Sequence, residues 1–302
     1  MSRRRAQANG ARPFLKWAGG KARLAPVVVA GAPKGFSRYH EPFVGGGAVF
    51  FAMTAARPGL PATLSDSNAE LINAYVAVRD HPDALIAVLR PIAEAYRALD
   101  SRGRRDFYYA QRACEPSDPV ARAARLIFLN KTGYNGLYRV NRSGKFNVPH
   151  GRYTDPRILD EPGLRGASVA LQGVEVQCTD FADACERALP GDLVYLDPPY
   201  HPLSATARFT SYTQDSFGPD EQRRLRDVFD SLTRRGVAAM LSNSDHPVIA
   251  ELYGGRGYTI ERVPMTRAIN SKGDRRAPID ELLITNLARA EVRAALEARA
   301  TS

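Results

Sequence analysis

The segment Asp197-Pro198-Pro199-Tyr200 combines residue types that could hold an amino group beside a planar ring. It follows an apolar run at residues 193–196, which is typical of a buried parallel strand, and ligands of open α/β sheets collect at the carboxyl ends of such strands. The prolines lack N–H groups and have a fixed φ, so they end the strand and hold the backbone in one shape. The Asp197 carboxylate and the Pro198 carbonyl can then accept from an exocyclic amino group, while Tyr200 covers a base. A plain strand-ending turn is the weaker alternative, because an acid and an aromatic flank the prolines.

A glycine turn and a second acid predict an adenosine-containing ligand. Gly45, Gly46 and Gly47 follow a predicted strand at residues 38–43, and glycine there lets the backbone approach a ligand closely. Asp66 lies 19 residues beyond Gly47 at the end of the next predicted strand, where an acid can accept from ribose hydroxyls. The turn alone is equally compatible with a bare tight turn, because it lacks the G-x-G-x-x-G spacing of dinucleotide enzymes.

Two further segments suit the same ligand. Residues 14–21 combine Phe14 and Trp17 with two lysines and a pair of glycines, and a lysine is a sensible partner for a ligand carboxylate. Asp180 and Phe181 follow a predicted strand at residues 174–178 and could accept from an adenine amino group and stack on its ring. Because Asp-Phe pairs are frequent, this pair is weak evidence by itself.

The charge of the chain favours a polyanionic partner, with nucleic acid as the leading candidate. The net charge is +10 and the isoelectric point is about 9.7, although a merely basic soluble protein remains the alternative from composition alone. Residues 119–154 contain seven Lys or Arg and no acid, interleaved with Tyr134, Tyr138, Phe146 and Tyr153. A solvated surface usually mixes signs, so this stretch predicts a nucleic-acid-binding surface.

Other function classes are disfavoured by composition. The three cysteines, Cys114, Cys178 and Cys185, are scattered, which argues against a disulfide framework and against a zinc site. We expect no metal. No apolar run approaches the ~20 residues of a membrane helix, and the basic start of the chain is not followed by an apolar segment. We therefore expect a cytoplasmic protein that does not bind a membrane.

The elements that must position these residues form an α/β pattern. A strand, a glycine turn and a helix over residues 48–56 open a doubly wound nucleotide-binding fold. Apolar spacing predicts helices over residues 69–130, and another over 219–234. Strands are predicted at 174–178, 192–196, 237–241, 258–263 and 281–285. Residues 1–12 have the composition of a disordered tail or a purification remnant.

Several motifs in one order resemble the Dam-type (D12 class) adenine-specific DNA methyltransferases. In addition to the segments above, residues 130–141 (Asn-Lys-Thr-Gly-Tyr-Asn-Gly-Leu-Tyr-Arg-Val-Asn) and 144–149 (Gly-Lys-Phe-Asn-Val-Pro) carry the resemblance, which extends from about residue 14 to Asn286. His150 is a departure, since several relatives have an aromatic or aliphatic residue there. The resemblance implies a Rossmann-like class I methyltransferase sheet, the catalytic domain, formed by residues 13–70 and 166–302. A mainly helical target-recognition domain would be inserted at 71–165.

The resemblance also implies roles for individual residues. S-adenosylmethionine would be the methyl donor, held by Trp17, Lys21, Phe43, Gly45, Asp66, Asp180, Phe181 and Asp197. Asp197, Pro198 and Tyr200 would be catalytic. The duplex would be contacted by Lys131, Tyr134, Asn135, Leu137, Arg139 and Asn147, and relatives of this loop commonly read a guanine-adenine step, often within GATC. An arginine bidentate to guanine is the chemistry expected of such a loop.

The expected reaction is direct methyl transfer to an adenine that is flipped out of the duplex. An RNA or protein methyltransferase is the second interpretation, but such enzymes often have Asn in place of Asp197 and lack the loop at 130–149. A non-catalytic DNA-binding module is the third, and the intact Lys21, Asp66 and Asp197 argue against it. We expect a monomer or weak dimer, and a cognate restriction endonuclease, if there is one, would act separately.

Overall fold

The computed structural model describes residues 10–200, 217–265 and 279–288, and these form a mixed α/β fold around one sheet. The predicted tail at 1–12 lies mostly outside the described residues. The strands are β1 (Tyr39–Glu41), β2 (Ala62–Asp66), β3 (Glu175–Cys178), β4 (Leu193–Leu196), β5 (Ala238–Ser244), β6 (Thr259–Met265) and β7 (Ile279–Thr285). The α-helices of the described residues are α1 (Ala25–Gly31), α2 (Ala48–Ala56), α3 (Ala69–Asp80), α4 (Pro82–Ala98), α5 (Ser101–Ala113), α6 (Pro119–Thr132), α7 (Glu161–Leu171), α8 (Phe181–Glu186), α9 (Pro219–Arg234) and α10 (Pro247–Tyr253).

The sheet has the strand order β3-β2-β1-β4-β5-β7-β6 and is mostly parallel, which confirms the predicted α/β class. β1 pairs in parallel with β2 and β4, and β4 pairs in parallel with β5, whereas β7 is antiparallel to both β5 and β6. Leu196 at the end of β4 lies beside Leu241 of β5. The next residues, Asp197 and Ser242, therefore reach the same edge of the sheet.

Local sequence explains why the elements around this sheet form where they do. α3 is capped by Asn68, whose side chain accepts from the N–H groups of Glu70 and Leu71 and so satisfies two donors at the helix start. α9 begins with a proline and two acids, and it buries Leu225, Phe229 and Leu232 at helical spacing. Its bounds, and those of α2, are the predicted ones.

The described chain divides into two compact units. The first takes its described residues from Met1–Gly20, Val44–Leu60 and Ser65–Cys178, and in it α6 packs against α3 and α4. The second takes its described residues from Lys21–Phe43, Pro61–Leu64 and Thr179–Ser302, with a core in which β4, β5 and α9 meet. None of the helices described is both long and apolar enough to cross a membrane. The predicted division into a catalytic and a target-recognition domain stays a prediction.

Candidate active site

Asp197 follows directly on β4, whose four residues are all buried. The proline pair after it is held by a buried glutamine on α9: Gln222 Nε2 donates to the Pro199 carbonyl at 3.2 Å, and Asn243 Nδ2 donates to Gln222 Oε1 at 3.1 Å. Pro198 itself is buried. The acceptor cluster predicted from the sequence is thus fixed by β4 before it and by a side-chain hydrogen-bond chain after it.

The carboxylate of Asp197 is held by a cation and a hydroxyl. Lys21 Nζ and Ser242 Oγ both lie 2.9 Å from Asp197 Oδ1, and Tyr195 Oη lies 2.8 Å from Ser242 Oγ. The Lys21 side chain is 5% exposed and that of Asp197 is 19% exposed. Burial raises the pKa of Asp197 to about 6, because the cost of desolvating the carboxylate outweighs the opposing effects of Lys21 and Ser242.

The ring of Tyr200 is constrained at its face and at its hydroxyl. Lys21 Nζ lies 4.3 Å from the ring centroid, a cation–π contact that covers one face. The Tyr200 hydroxyl donates to Glu281 Oε2 at 2.8 Å. Burial raises the pKa of this phenol far above its usual value. The hydroxyl therefore stays protonated and remains a hydrogen-bond donor. The structure therefore brings together Lys21, Asp197 and Tyr200, three of the residues predicted from the sequence.

In the same unit, Asp180 caps the N-terminus of α8 and Phe181 is the first residue of that helix. The Phe181 ring stacks on Phe43 with centroids 5.1 Å apart and an angle of 26° between the planes. Arg224 of α9 pairs with the Asp180 carboxylate and lies 4.5 Å above the Phe181 ring. Burial alone would raise the pKa of Asp180, but Arg224 and the N–H of Ala182 hold it below its usual value. These contacts bring together the three predicted cofactor residues Phe43, Asp180 and Phe181.

In the first unit, the glycine turn meets Asp66 and Trp17. Asp66 accepts from the N–H of Gly45 at 3.2 Å and from that of Asn68 at 3.0 Å. Burial raises the pKa of Asp66, against the effect of these backbone donors. Gly45 has a φ of 45°, and a Cβ there would lie 2.7 Å from Trp17 Cδ1. Only glycine leaves room for the indole, and this close approach is the physical reason for a glycine at the turn.

The predicted base-contacting loop exposes Tyr134, Asn135 and Arg139. Tyr134 is 53% exposed at the start of a short 3-10 turn, and Asn135 is the described non-glycine residue with a left-handed backbone, at φ 54°. Asparagine adopts this left-handed conformation more readily than most residues with a side chain. Farther along the loop, Arg139 Nε donates to Asn147 Oδ1 at 2.7 Å, which holds the guanidinium at the surface. Leu137 is half-buried behind it.

Lys131 and Asn130 lie at the end of α6, under this loop. Burial, together with the nearby cation Lys16, lowers the pKa of Lys131 to about 8. The buried Asn130 side chain accepts from the Lys16 N–H at 2.8 Å and donates to the carbonyls of Lys16 and Gly136 at 2.7 and 2.9 Å. One amide therefore joins the segment preceding Trp17 to the base-contacting loop. His150, the departure noted in the sequence, lies 2.8 Å from Tyr96 Oη through Nε2.

The basic stretch at 119–154 is partly neutralised in the fold. Arg122 pairs with Glu70, and Lys145 pairs with Glu115 at 2.9 Å. The acids come from outside the stretch, so their contribution could not be read from the local sequence. The charge excess over residues 119–154 thus overstates the net positive charge of this part of the surface.

Sequence reasoning missed four polar residues around the Asp197 tetrad, namely Ser242, Asn243, Gln222 and Glu281. Ser242 and Asn243 are fully buried at the carboxyl end of β5. Their signal was present, because a polar Ser-Asn-Ser run ends an otherwise apolar strand beside β4. Glu281 had no comparable signal, since its link to Tyr200 depends on the antiparallel pairing of β7 with β5.

The chain is similar to known proteins over most of its length. A model of the family described as D12 class N6 adenine-specific DNA methyltransferase matches residues 17–269. The Type II methyltransferase M.MjaIII of Methanocaldococcus jannaschii is 42% identical over 91% of this chain and 99% of its own length. The Type II methyltransferase M1.LlaDCHI of Lactococcus lactis subsp. cremoris is 40% identical, over 91% and 95%. The DNA adenine methylase of Escherichia coli is 37% identical, over 90% and 94%.

Proposed function

Because the chain belongs to the D12 class N6 adenine-specific DNA methyltransferase family, we propose that it methylates the N6 amino group of an adenine flipped out of duplex DNA, with S-adenosylmethionine as donor. The target would lie in a GA-containing site such as GATC. The observation that carries the proposal is the carboxylate of Asp197, fixed by Lys21 and Ser242 beside the ring of Tyr200.

The residues predicted to hold the cofactor suit an adenosine-containing methyl donor. Asp66 accepts two backbone N–H groups on its two oxygens and keeps lone pairs for ribose hydroxyls. Phe181 is buried and Arg224 lies over its ring, so the half-buried Phe43 stacked on it would supply the aromatic surface for an adenine ring, and the Asp180 carboxylate would face the amino group. When bound, S-adenosylmethionine supplies a methyl group activated on a sulfonium centre.

The chain's own residues would prepare the target nitrogen. Asp197 and the Pro198 carbonyl accept hydrogen bonds from the two N–H groups of the adenine, which draws the nitrogen lone pair out of conjugation with the ring. Lys21 covers one face of Tyr200, so the base would stack on the other face. The rate would come from positioning and from electrostatics preorganised in the fold.

DNA binding would use the loop at 134–147 and the cations around it. Tyr134 and Asn135 are exposed at the tip, where they can enter the space left by a flipped base. Arg139 would read guanine, and Asn147 would hold the Arg139 guanidinium in place. Lys131, Leu137 and the flanking cations would contact the DNA backbone and neighbouring bases. Two of the relatives are named Type II methyltransferases, so a cognate restriction endonuclease, acting as a separate protein, would recognise the same site.

Competition between nucleic acids tests this function against its main rival. The purified protein is incubated with methyl-labelled S-adenosylmethionine and a mixture of duplex DNA and RNA. Excess unlabelled duplex DNA or excess RNA is then added in separate reactions as competitor. We expect label in DNA adenine, competition by duplex DNA and loss of labelling in Asp197→Ala. Preferential labelling of RNA, or undiminished labelling by Asp197→Ala, would contradict the proposal.

A further inference from the structure

Glu281 of β7 reaches the catalytic segment although it lies 81 residues beyond Tyr200 in the chain. β7 runs antiparallel to β5, and this register places Glu281 opposite Ser244. The half-buried Glu281 carboxylate then accepts from the Tyr200 hydroxyl at 2.8 Å through Oε2. The proposed reaction itself gives Glu281 no role.

The hydrogen bond acts on the plane of the tyrosine ring. A tyrosine held only by its backbone can turn about its side-chain torsions, and an aromatic that stacks on a base must keep one plane. Lys21 Nζ restrains the Tyr200 ring from one face at 4.3 Å, and Glu281 restrains it at the hydroxyl. One contact lies over the face of the ring and the other is at its hydroxyl, so together they restrain the plane of the ring.

We propose that Glu281 is a positioning residue, which fixes the ring plane of Tyr200 for stacking on the target base by accepting a hydrogen bond from its hydroxyl. This role rests on the proposed function. Glu281 would contact neither the methyl donor nor the target amino group. It therefore predicts a loss in the methyl-transfer step and not in the affinity for S-adenosylmethionine.

The negative charge of Glu281 supplies a second readout. Within the described ranges, the charged and titratable groups that act on Asp197 or lie in its network are Lys21, Tyr39, Glu41, Tyr195, Tyr200 and Glu281. The Ser242 hydroxyl also donates to Asp197. Among them, Lys21 lowers the pKa of Asp197 and Glu281 raises it. Removing the charge of Glu281 should therefore move the acid limb of the rate profile to lower pH. A purely structural substitution elsewhere in β7 would leave that limb in place.

The test compares Glu281→Ala, Glu281→Gln, Tyr200→Phe and the double variant Glu281→Ala/Tyr200→Phe. Asp280→Ala is the matched control, because the preceding residue of the same strand points to the opposite face of the sheet. Single-turnover methyl transfer to duplex DNA, its pH profile and the Kd of S-adenosylmethionine are measured. Fluorescence of a duplex with 2-aminopurine at the target adenine reports stacking of the flipped base.

We expect Glu281→Ala and Tyr200→Phe each to slow transfer about tenfold, the size expected for losing a hydrogen bond to a charged group. The double variant should be no slower than either single one, because both remove the same contact. Glu281→Gln keeps an acceptor and should retain most of the rate, with the acid limb at lower pH. The flipped 2-aminopurine should fluoresce more strongly in the two slow variants, and donor affinity and the Asp280→Ala protein should be unaffected.

Multiplying losses in the double variant, or a Glu281→Ala protein with the wild-type rate, would overturn the role of Glu281 while wild-type methylation still supports the proposed function. A wild-type protein that transfers no methyl group to DNA adenine would overturn both.

Discussion

Lys21 and Asp197 form a largely buried ion pair, with Nζ 2.9 Å from Oδ1 and the lysine side chain 5% exposed. The same ammonium lies 4.3 Å from the centroid of the Tyr200 ring. One cation therefore restrains both the acceptor and the aromatic of the proposed reaction. The resemblance implies that Lys21 contacts the methyl donor, and in this structure the lysine also pairs with Asp197.

Removing Lys21 should shift the pH dependence of the reaction upward. Lys21→Ala leaves the buried Asp197 carboxylate without its neighbouring cation, so the pKa of Asp197 should rise above about 6. Activity at pH 7 should fall and partly recover at pH 8. Lys34→Ala, which removes an exposed lysine of the same unit, is the control and should keep the wild-type profile. An unshifted acid limb in Lys21→Ala would contradict the electrostatic role.

The wild-type rate should itself depend on Asp197. The carboxylate must be ionised to accept from the amino group, so kcat/KM should fall as pH drops through about 6, the value to which burial raises the pKa of Asp197. A profile that stays flat from pH 5 to 7.5 would be inconsistent with Asp197 as the acceptor.

Stability should change with pH in the opposite sense. The folded-state pKa of Asp197 is raised from 3.8 to about 6, so the protonated carboxyl is favoured in the folded state. Its contribution to the unfolding free energy is full below pH 3.8 and is lost as pH rises through about 6. Urea unfolding of the wild type and of Asp197→Asn from pH 4 to 7 measures the contribution by difference. The wild type should lose stability relative to the variant with rising pH, and a constant difference would refute this linkage.

Gly45→Ala should damage the glycine turn through a specific clash. The new Cβ would lie 2.7 Å from Trp17 Cδ1. Gly59 is the matched control, because it also has a positive φ but nothing lies within 4 Å of a Cβ there. We expect Gly45→Ala to lose about 1–3 kcal/mol more unfolding free energy than Gly59→Ala, as overpacking does, and to bind S-adenosylmethionine more weakly. Equal losses in the two variants would mean that the turn and the indole rearrange freely.

Site preference should depend on the contact between Arg139 and Asn147. Arg139→Ala should relax discrimination at the guanine next to the target by about tenfold, since a bidentate arginine–guanine pair contributes of that order. Asn147→Ala removes the acceptor 2.7 Å from Arg139 Nε and should relax the same position by a smaller factor. Arg142→Ala, an exposed cation of the same loop, should weaken binding to all sites alike. Methylation of a library of randomised sites, read by sequencing, compares the three, and an unchanged preference in Arg139→Ala would remove Arg139 from base reading.

Local sequence was sufficient where a strong local pattern forms an element. α9 combines a proline at its start, two acids in the first turn and three apolar residues at helical spacing, and its bounds were predicted. α7 was not predicted, because it contains Gly163 and Gly166, which have low helix propensity. Gly166 lies against the backbone of Gly10, where a Cβ would be 2.7 Å from the Gly10 carbonyl carbon. The glycines of α7 are explained by close packing of the backbone, and this tertiary contact cannot be predicted from local sequence.

The site was predictable to the extent that its residues end strands. Asp66 and Asp197 each end or follow a strand of the parallel sheet, and that position is readable from an apolar run followed by an acid. Ser242 and Glu281 act through strand pairing, and Arg224 acts through the packing of α9 beside α8. Such contacts join residues far apart in the chain, so the sequence alone did not predict them.

The proposal that this chain methylates adenine in duplex DNA through Asp197 can be tested on plasmid DNA. Plasmid DNA that lacks adenine methylation is incubated with S-adenosylmethionine and either the wild-type protein or Asp197→Ala, and every modified base is then mapped by methylation-aware sequencing. We expect N6-methyladenine in a single GA-containing sequence context with the wild type and none with the variant. Methylated cytosine, no modification by the wild type, or the same methyladenine pattern with Asp197→Ala would contradict the claim.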